Sequence, residues 1–250
     1  MKIEVLDHGY VELIECWGTG KDGVDFQFEP EVVHDYEIGI VEAARQSTQG
    51  SFRGWKEDAP LLRRLYKNNH ATPFEFAGMV IEVQAPIMVF REWHRHRTES
   101  YNEMSARYAP LPDLYYAPAR DDVLLRGERA EVTRNRQEAG TAPFDPEYVD
   151  RWLAQVEHAY RQLEEIYQNA LAHGIPKELA RITMPVGHYS RMRASANLRN
   201  WLAFLTLRMS SNAQKEIRLY ATAVYKIMLQ QFPQVMSLFY DAWVGVPDSV

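Results

Sequence analysis

The amino-acid sequence predicts an α/β protein of the α+β type. The expected architecture is a central, mainly antiparallel sheet flanked by helices, in a single domain whose C-terminal half is helix-rich. Three observations carry this reading. The opening stretch KIEVLDHGYVELIECWG reads as strand, turn and strand. Met79, Ile81 and Val83 alternate with Val80, Glu82 and Gln84, the period of a strand with one more polar face. From Asp145 onward the apolar residues return with helical spacing instead.

The elements follow in chain order. Gly9 marks the turn of the opening hairpin. A helix is expected within 30–46, where Val33, Ile40, Val41 and Ala44 favour one side. DAPLLRRLYKNN is a second helix, with Pro60 in its first turn and Leu61, Leu62, Leu65 and Tyr66 on its apolar face. Thr72, Pro73 and Glu75 spell a capping box, so a short helical turn should start there. Pro86 closes the strand and opens a helix in PIMVFREWHRHR. If that helix persists, Arg91 and Arg95 share a face, as do Trp93 and Arg97. The segment 119–143 is charged and weakly patterned, an exposed insertion with some helix. A long helix runs from Asp145-Pro146 to Ala172 with Trp152, Val156, Tyr160, Leu163, Tyr167 and Ala170 in register. Gly174 suits its C-terminal cap and Pro176 the start of another helix. The stretch 197–233 reads as two helices broken near Ser210-Ser211.

Composition narrows the function classes. The chain has 250 residues, 46% hydrophobic and 25% charged, the balance of a folded globular protein that needs neither disulfides nor metal to build its core. A formal net charge of -6 argues against coating nucleic acid or an anionic membrane. Cys16 is the single cysteine, which excludes an intrachain disulfide and a cysteine-rich zinc site and suits a reducing compartment. The N-terminal stretch alternates and carries acids, unlike a signal peptide, and no apolar run is long enough for a bilayer. The expected setting is the cytoplasm.

The chemistry concentrates in RHRTESYNEMSARY, residues 95–108. Arginine pairs bidentately with phosphate and carboxylate and keeps its charge at any ordinary pH. Arg95, Arg97 and Arg107 around one loop would make an anion site, and Ser100, Asn102 and Ser105 add groups that read a ring edge. Residue types and spacing alone leave two readings open: an anionic-ligand site, nucleotide among the candidates, or a solvated charged helix end.

Arg95-His96-Arg97 followed by Ser105 fits the R-H-R-x7-S signature, and here the chain resembles the flavin-dependent thymidylate synthases. VEAARQST, NNHATPFEF, GIPKELARITMPVGHYSR and NLRNWLAFLTLRMSSNAQKEIRLYA resemble further segments of that family, and only 119–143 lacks a clear counterpart. The resemblance implies one domain over residues 1–250 that converts dUMP to dTMP. Methylenetetrahydrofolate would donate the carbon and NADPH the reducing equivalents, through FAD. It implies a homotetramer with sites at subunit junctions, and neither nucleic acid, membrane nor metal as partner.

By resemblance, FAD meets Arg95, His96, Arg97, Asn102 and Glu103. His70, Thr72 and Glu75 border it, and Arg208 and Asn212 add contacts. The dUMP site comprises Glu92, Arg95, Glu103, Ser105, Ala106, Arg107, Arg191 and Arg218, with Arg107 and Arg191 as phosphate partners. Arg218 is the expected catalytic residue: a permanent cation aimed at the uracil stabilises charge on the ring. Ser105 is expected to hydrogen-bond substrate rather than attack it, since a serine nucleophile needs a base. Cys16 is expected to be an inert thiol. Three positions depart from the family: Glu92 where glutamine is common, Ala106 for a frequent glycine, and His94 at an often apolar position. Glu92 needs an arginine to neutralise it beside an anionic nucleotide, Arg91 or Arg95 being the expected partners.

Overall fold

Five antiparallel strands form one sheet in the order β1-β2-β3-β5-β4: β1 Lys2–Val5, β2 Gly9–Trp17, β3 Gly78–Pro86, β4 Ser100–Glu103 and β5 Tyr189–Asn197. The structure, a computed structural model, describes residues 1–18, 35–48, 50–128 and 142–244. The helices among them are α1 Ile38–Ala44, α2 Trp55–Lys67, α3 Ile87–Trp93, α4 Arg120–Glu128, α5 Pro146–Ala172, α6 Lys177–Ala180, α7 Leu198–Arg208, α8 Lys215–Gln231 and α9 Pro233–Val244. None of them is long and apolar enough to cross a membrane.

The alternation in β3 sorts the sheet's two faces. Met79, Ile81, Val83 and Ala85 are fully buried, as are their β5 neighbours Met192 and Ala194. Over this face lie Trp201, Phe204 and Leu205 of α7 and Ile217, Tyr220, Val224, Ile227 and Met228 of α8, all sealed from solvent. Each large side chain so buried contributes about 1.5–3 kcal/mol, enough to fix the register of β3 on β5. The opposite face is polar: Glu82 accepts from the Tyr10 hydroxyl at 2.8 Å and lies 3.9 and 3.6 Å from Arg191 and Arg193.

Several boundaries differ from the sequence expectations, each for a local reason. The part of the first expected helix at 30–34 lies outside the described residues, and α1 begins at Ile38. Helix α2 begins at Trp55, so Pro60 lies inside it and not in its first turn. The start is set earlier because Glu57 and Asp58 N–H groups reach the Gly54 carbonyl at 3.0 Å, while the buried Asp58 carboxylate accepts from Arg53 N at 2.7 Å and pairs with Arg45. At Thr72–Phe76 the chain forms a tight 3₁₀ turn, but the capping box does not form. Ala71 is the cap residue, with helical rather than extended backbone and no side-chain hydrogen bond, and Glu75 turns instead to Arg199 at 2.5 Å.

Helix α3 stops at Trp93, before the RHR motif. Its last carbonyls are taken by side chains from elsewhere: Glu92 O accepts from Arg208 at 2.7 Å, and the Tyr101 hydroxyl lies 3.1 Å from Trp93 O and 2.7 Å from His96 O. With those acceptors satisfied there is no further turn to gain, and Arg91 and Arg95 do not share a helical face.

The C-terminal half follows expectation more closely. Asp145 caps α5, accepting from Glu147 N at 3.1 Å, and the helix ends at Ala172. Gly174 takes φ +80°, a conformation that favours glycine, and its N–H reaches Leu171 O at 3.1 Å. Helices α7 and α8 break across 209–214. The segment read as an exposed insertion is anchored over its first part: Arg126 of α4 pairs with Asp122 at 3.2 Å and with the buried Glu216 at 2.5 Å, and Lys215 pairs with Asp122. Burial pushes Glu216 up, but Arg126 and Gln214 hold it below the ordinary carboxylate range. Residues 129–141 lie outside the described set.

Candidate active site

The RHR turn is organised by an arginine that arrives from the end of α7. Arg208 is only 7% exposed. Its Nε donates to His96 Nε2 at 2.9 Å, its Nη1 to Glu92 Oε2 at 2.5 Å, and its Nη2 to Glu92 O at 2.7 Å. Glu92 thus does find an arginine, but it is Arg208, not Arg91 or Arg95. Burial and the Arg208 charge, opposed by Glu92, hold His96 down at about 4. The imidazole is therefore neutral near pH 7, with Nε2 as acceptor and the proton on Nδ1. His96 packs edge-on to Phe204 at 4.9 Å, and Arg95 and Arg97 stand exposed on either side.

Beyond this turn the polar stretch becomes a strand, not a loop. Asn102 pairs with Arg193 and Glu103 with Met192, and Met104 N continues the ladder to Arg191 O at 2.7 Å. The chain then turns: Ser105 O accepts from Tyr108 N at 3.0 Å, and Ser105 Oγ accepts from Arg107 N at 3.3 Å. Glu103, Ser105 and the buried Ala106 border a cavity of about 380 Å³, with Arg91, Arg181 and Ser190 on its other walls. Arg107 faces Glu178 on α6 at 3.0 Å, and Arg191 lies on the other face of the sheet with Glu82.

A second cavity, about 760 Å³, opens beside the Thr72–Phe76 turn. His70, Arg199, Arg63 and Lys67 line it together with Tyr66 and Phe74. Glu75 adjoins it through its pair with the lining residue Arg199, and Thr72 lies in the turn between the lining residues Ala71 and Phe74. Its size is that of a cavity for a large organic ligand. Its cations suit a diphosphate and its aromatic rings a planar heterocycle, so the residues present fit a flavin dinucleotide. Among the described residues no group of three His, Cys, Asp or Glu side chains is placed to hold a metal.

The structure thus brings the expected residues into three groups. Glu92, His96 and Arg208 touch one another, flanked in sequence by Arg95 and Arg97. Glu103, Ser105 and Ala106 share the smaller cavity, and His70 lies on the larger one. Of the remaining expected residues, Asn212 lies in the α7–α8 turn, where its N donates to Ser210 Oγ at 3.3 Å, and Arg218 lies in the first turn of α8, its Nη1 donating to Ser211 O at 2.7 Å. Arg181 and Arg199 line these cavities and are not among the residues expected from sequence, and Arg91, expected only as a helix-face neighbour of Arg95 and a partner of Glu92, lines the smaller one. Arg199 had no local signal, since its partner Glu75 is 124 residues away. Arg181 lay within a segment already noted, GIPKELARITMPVGHYSR, but nothing in its spacing set it apart from a surface arginine.

Comparison with known proteins matches this chain and its fold to one group. Residues 31–234 match the family model of the thymidylate synthase complementing proteins. A flavin-dependent thymidylate synthase of Thermotoga neapolitana is 33% identical over 239 residues, covering 96% of this chain and 94% of the relative. One from Dictyostelium discoideum is 34% identical over 244 residues, covering 96% and 74%. The crystal structure of the UMP/dUMP methylase PolB from Streptomyces cacaoi with 5-Br dUMP superposes with a TM-score of 0.76 at 29% identity, covering 96% of this chain and 97% of that one. The same protein with 5-Br UMP gives a TM-score of 0.75 at 28% identity. Fold, site and relatives together define an enzyme of the methyltransferase class. The chain belongs to the thymidylate synthase complementing protein family, the flavin-dependent thymidylate synthases.

Proposed function

We propose that this enzyme methylates dUMP reductively to dTMP, with FAD as cofactor, methylenetetrahydrofolate as carbon donor and NADPH as reductant. It acts as a cytoplasmic homotetramer with sites at subunit junctions. The observation that carries the reading is the Arg208–His96–Glu92 cluster at the RHR signature, in a subunit that also has two arginine-lined cavities. The relatives' names and the brominated nucleotides bound to PolB support flavin and uridylate as the ligands.

In this reading the larger cavity takes FAD. Arg63, Lys67 and Arg199 offset its diphosphate, and His70, Thr72 and Glu75 border it. Arg95, Arg97, Asn102, Glu103 and Asn212 complete the flavin contacts, and neutral His96 offers its Nδ1 proton as a donor. Reduced flavin, when bound, supplies the hydride and relays the one-carbon unit. The smaller cavity takes dUMP. Arg181 and Arg91 are its phosphate partners within one subunit, and Ser105 and Ala106 hold the nucleotide. Arg107 joins them by exchanging its exposed pair with Glu178, a partner worth little in water. Arg191 would act from the far face of the sheet only toward a neighbouring subunit.

The cation that polarises the uracil is the finer question. Arg218 is held at the Ser211 carbonyl, whereas Arg208 stands in the cluster with His96. Within one subunit the geometry favours Arg208 for this charge, which acts electrostatically because a guanidinium does not give up its proton near neutral pH. No side chain need attack the substrate. Ser105 Oγ is occupied by the Arg107 N–H, and burial pushes the Cys16 thiol up to about 12, far from thiolate at neutral pH.

The test is the visible spectrum of the protein loaded with FAD and titrated with dUMP, and in parallel with UMP. A retained flavin spectrum that shifts with dUMP, followed by dTMP formation in the complete assay, is the expected result. A protein that retains no flavin overturns the reading.

A further inference from the structure

The signature turn contains a carboxyl that the reaction does not use. Glu99 lies between the RHR residues and β4 and is 8% exposed. Its Oε2 accepts the Trp93 indole N–H at 3.2 Å, while its Oε1 is sealed from solvent with no hydrogen-bond partner. Trp93 is fully buried and stacks on Phe204 at 4.7 Å, the same ring that carries His96 at 4.9 Å. Tyr101, two residues on, spans the carbonyls of Trp93 and His96. The carboxyl is therefore packed behind the turn that presents His96 to Arg208.

We propose that Glu99 is a positioning residue for this turn: as the neutral acid it seats Trp93 and the backbone of His96 against Arg208, and its ionisation unseats them. The proposal rests on the reading that this turn holds the flavin. An ionised carboxylate with one oxygen unpaired in a dry site is costly, and the neutral acid far less so. The titratable and charged groups packed on Trp93, Tyr101 and His96 are His94 of the turn, Arg208 of α7 with its partner Glu92 of α3, and Tyr220 of α8, whose ring lies 6.3 Å from Trp93. None donates to Oε1, and Arg208 is already committed to Glu92 and His96. Burial pushes Glu99 up to about 8, against the opposing pull of the Trp93 N–H.

The experiment is an absorbance titration with FAD at pH values from 6.5 to 9 on the wild type, Glu99→Gln and Glu99→Ala. Wild-type affinity should hold below about pH 8 and then weaken, approaching tenfold per pH unit. Glu99→Gln, uncharged and of the same shape, should bind at the wild-type level at pH 7 without the alkaline loss. Glu99→Ala should bind more weakly at every pH, with Gln as the rescue. Flavin binding with the same alkaline loss in wild type and Glu99→Gln, or with none in either, overturns the proposal alone. A wild type that binds no flavin at pH 7 overturns the reading beneath it, and the proposal with it.

Discussion

Arg208 holds Glu92 at two points, the carboxylate at 2.5 Å and the main-chain carbonyl at 2.7 Å, although the residues lie 116 positions apart. One guanidinium thereby neutralises an unusual acid, ends α3 and orients His96. Lysine cannot reproduce this, because its single ammonium lacks the planar fork. Arg208→Lys should cut turnover by about 10²- to 10³-fold. Glu92→Gln, which keeps both acceptors, should stay within about tenfold of wild type, since it removes only the ionic part of a charged hydrogen bond. Steady-state kinetics of the two variants check this, and equal losses would sink the assigned hierarchy.

The two candidate arginines can be told apart by a pair of truncations. Arg208→Ala should lose both flavin affinity and product. Arg218→Ala should keep the flavin spectrum and at least roughly a tenth of turnover, because Arg208, not Arg218, stands in the cluster with His96, while Arg218 Nη1 donates to the Ser211 carbonyl of the α7–α8 turn. Single-turnover dTMP formation measures the difference. Near-complete loss in Arg218→Ala with flavin intact would return the polarising role to Arg218.

Substrate affinity gives a third contrast, between the arginine on the smaller cavity and the one across the sheet. A charge-assisted hydrogen bond is worth about 1.5–3 kcal/mol. Arg181→Ala should therefore raise KM for dUMP roughly ten- to a hundredfold. Arg191→Ala should change it less than about threefold, since in the subunit that side chain is half exposed beside Glu82. The reverse order would place the phosphate on the Arg191 face.

How much of this was legible in the sequence depends on where each signal resided. The hairpin, β3, α5 and the α7–α8 break were readable because apolar periodicity and caps are local. Strand β5 was missed although Met192, Ala194 and Ala196 alternate with Arg191, Arg193 and Ser195. Its buried side chains are mostly small, and its outward arginines mimic a loop. Strand β4 is a four-residue edge with little buried surface, so its sequence resembles a polar loop. Helix α9 went unread although it buries Val235, Met236 and Phe239. The RHR signature announced the site, but the partnership of Arg208 with Glu92 is a tertiary fact with no local trace.

His188 is fully buried, its ring 4.6 Å from Tyr115, and neither ring nitrogen has a hydrogen-bond partner. Burial holds it down at about 4, with the Glu164 charge opposing. Because the folded value lies below the unfolded one of about 6.5, the unfolded chain takes up the proton first. Stability is therefore intact above about pH 6.5 and declines as pH falls toward about 4. Glu37 and Glu99, pushed up to about 7 and about 8, act in the opposite sense: they weaken the fold as pH rises from the ordinary carboxylate range to those values. His188→Phe removes both unpartnered nitrogens and the titration. It should raise stability at pH 7 by about 1–2 kcal/mol, and its advantage over wild type should widen between pH 6.5 and 4.5. His96 titrates over the same window, so some acid loss remains in the variant. Urea midpoints at pH 7.0, 5.5 and 4.5 decide it. An advantage that stays constant across the three would show that His188 is not the group that takes up the proton on unfolding.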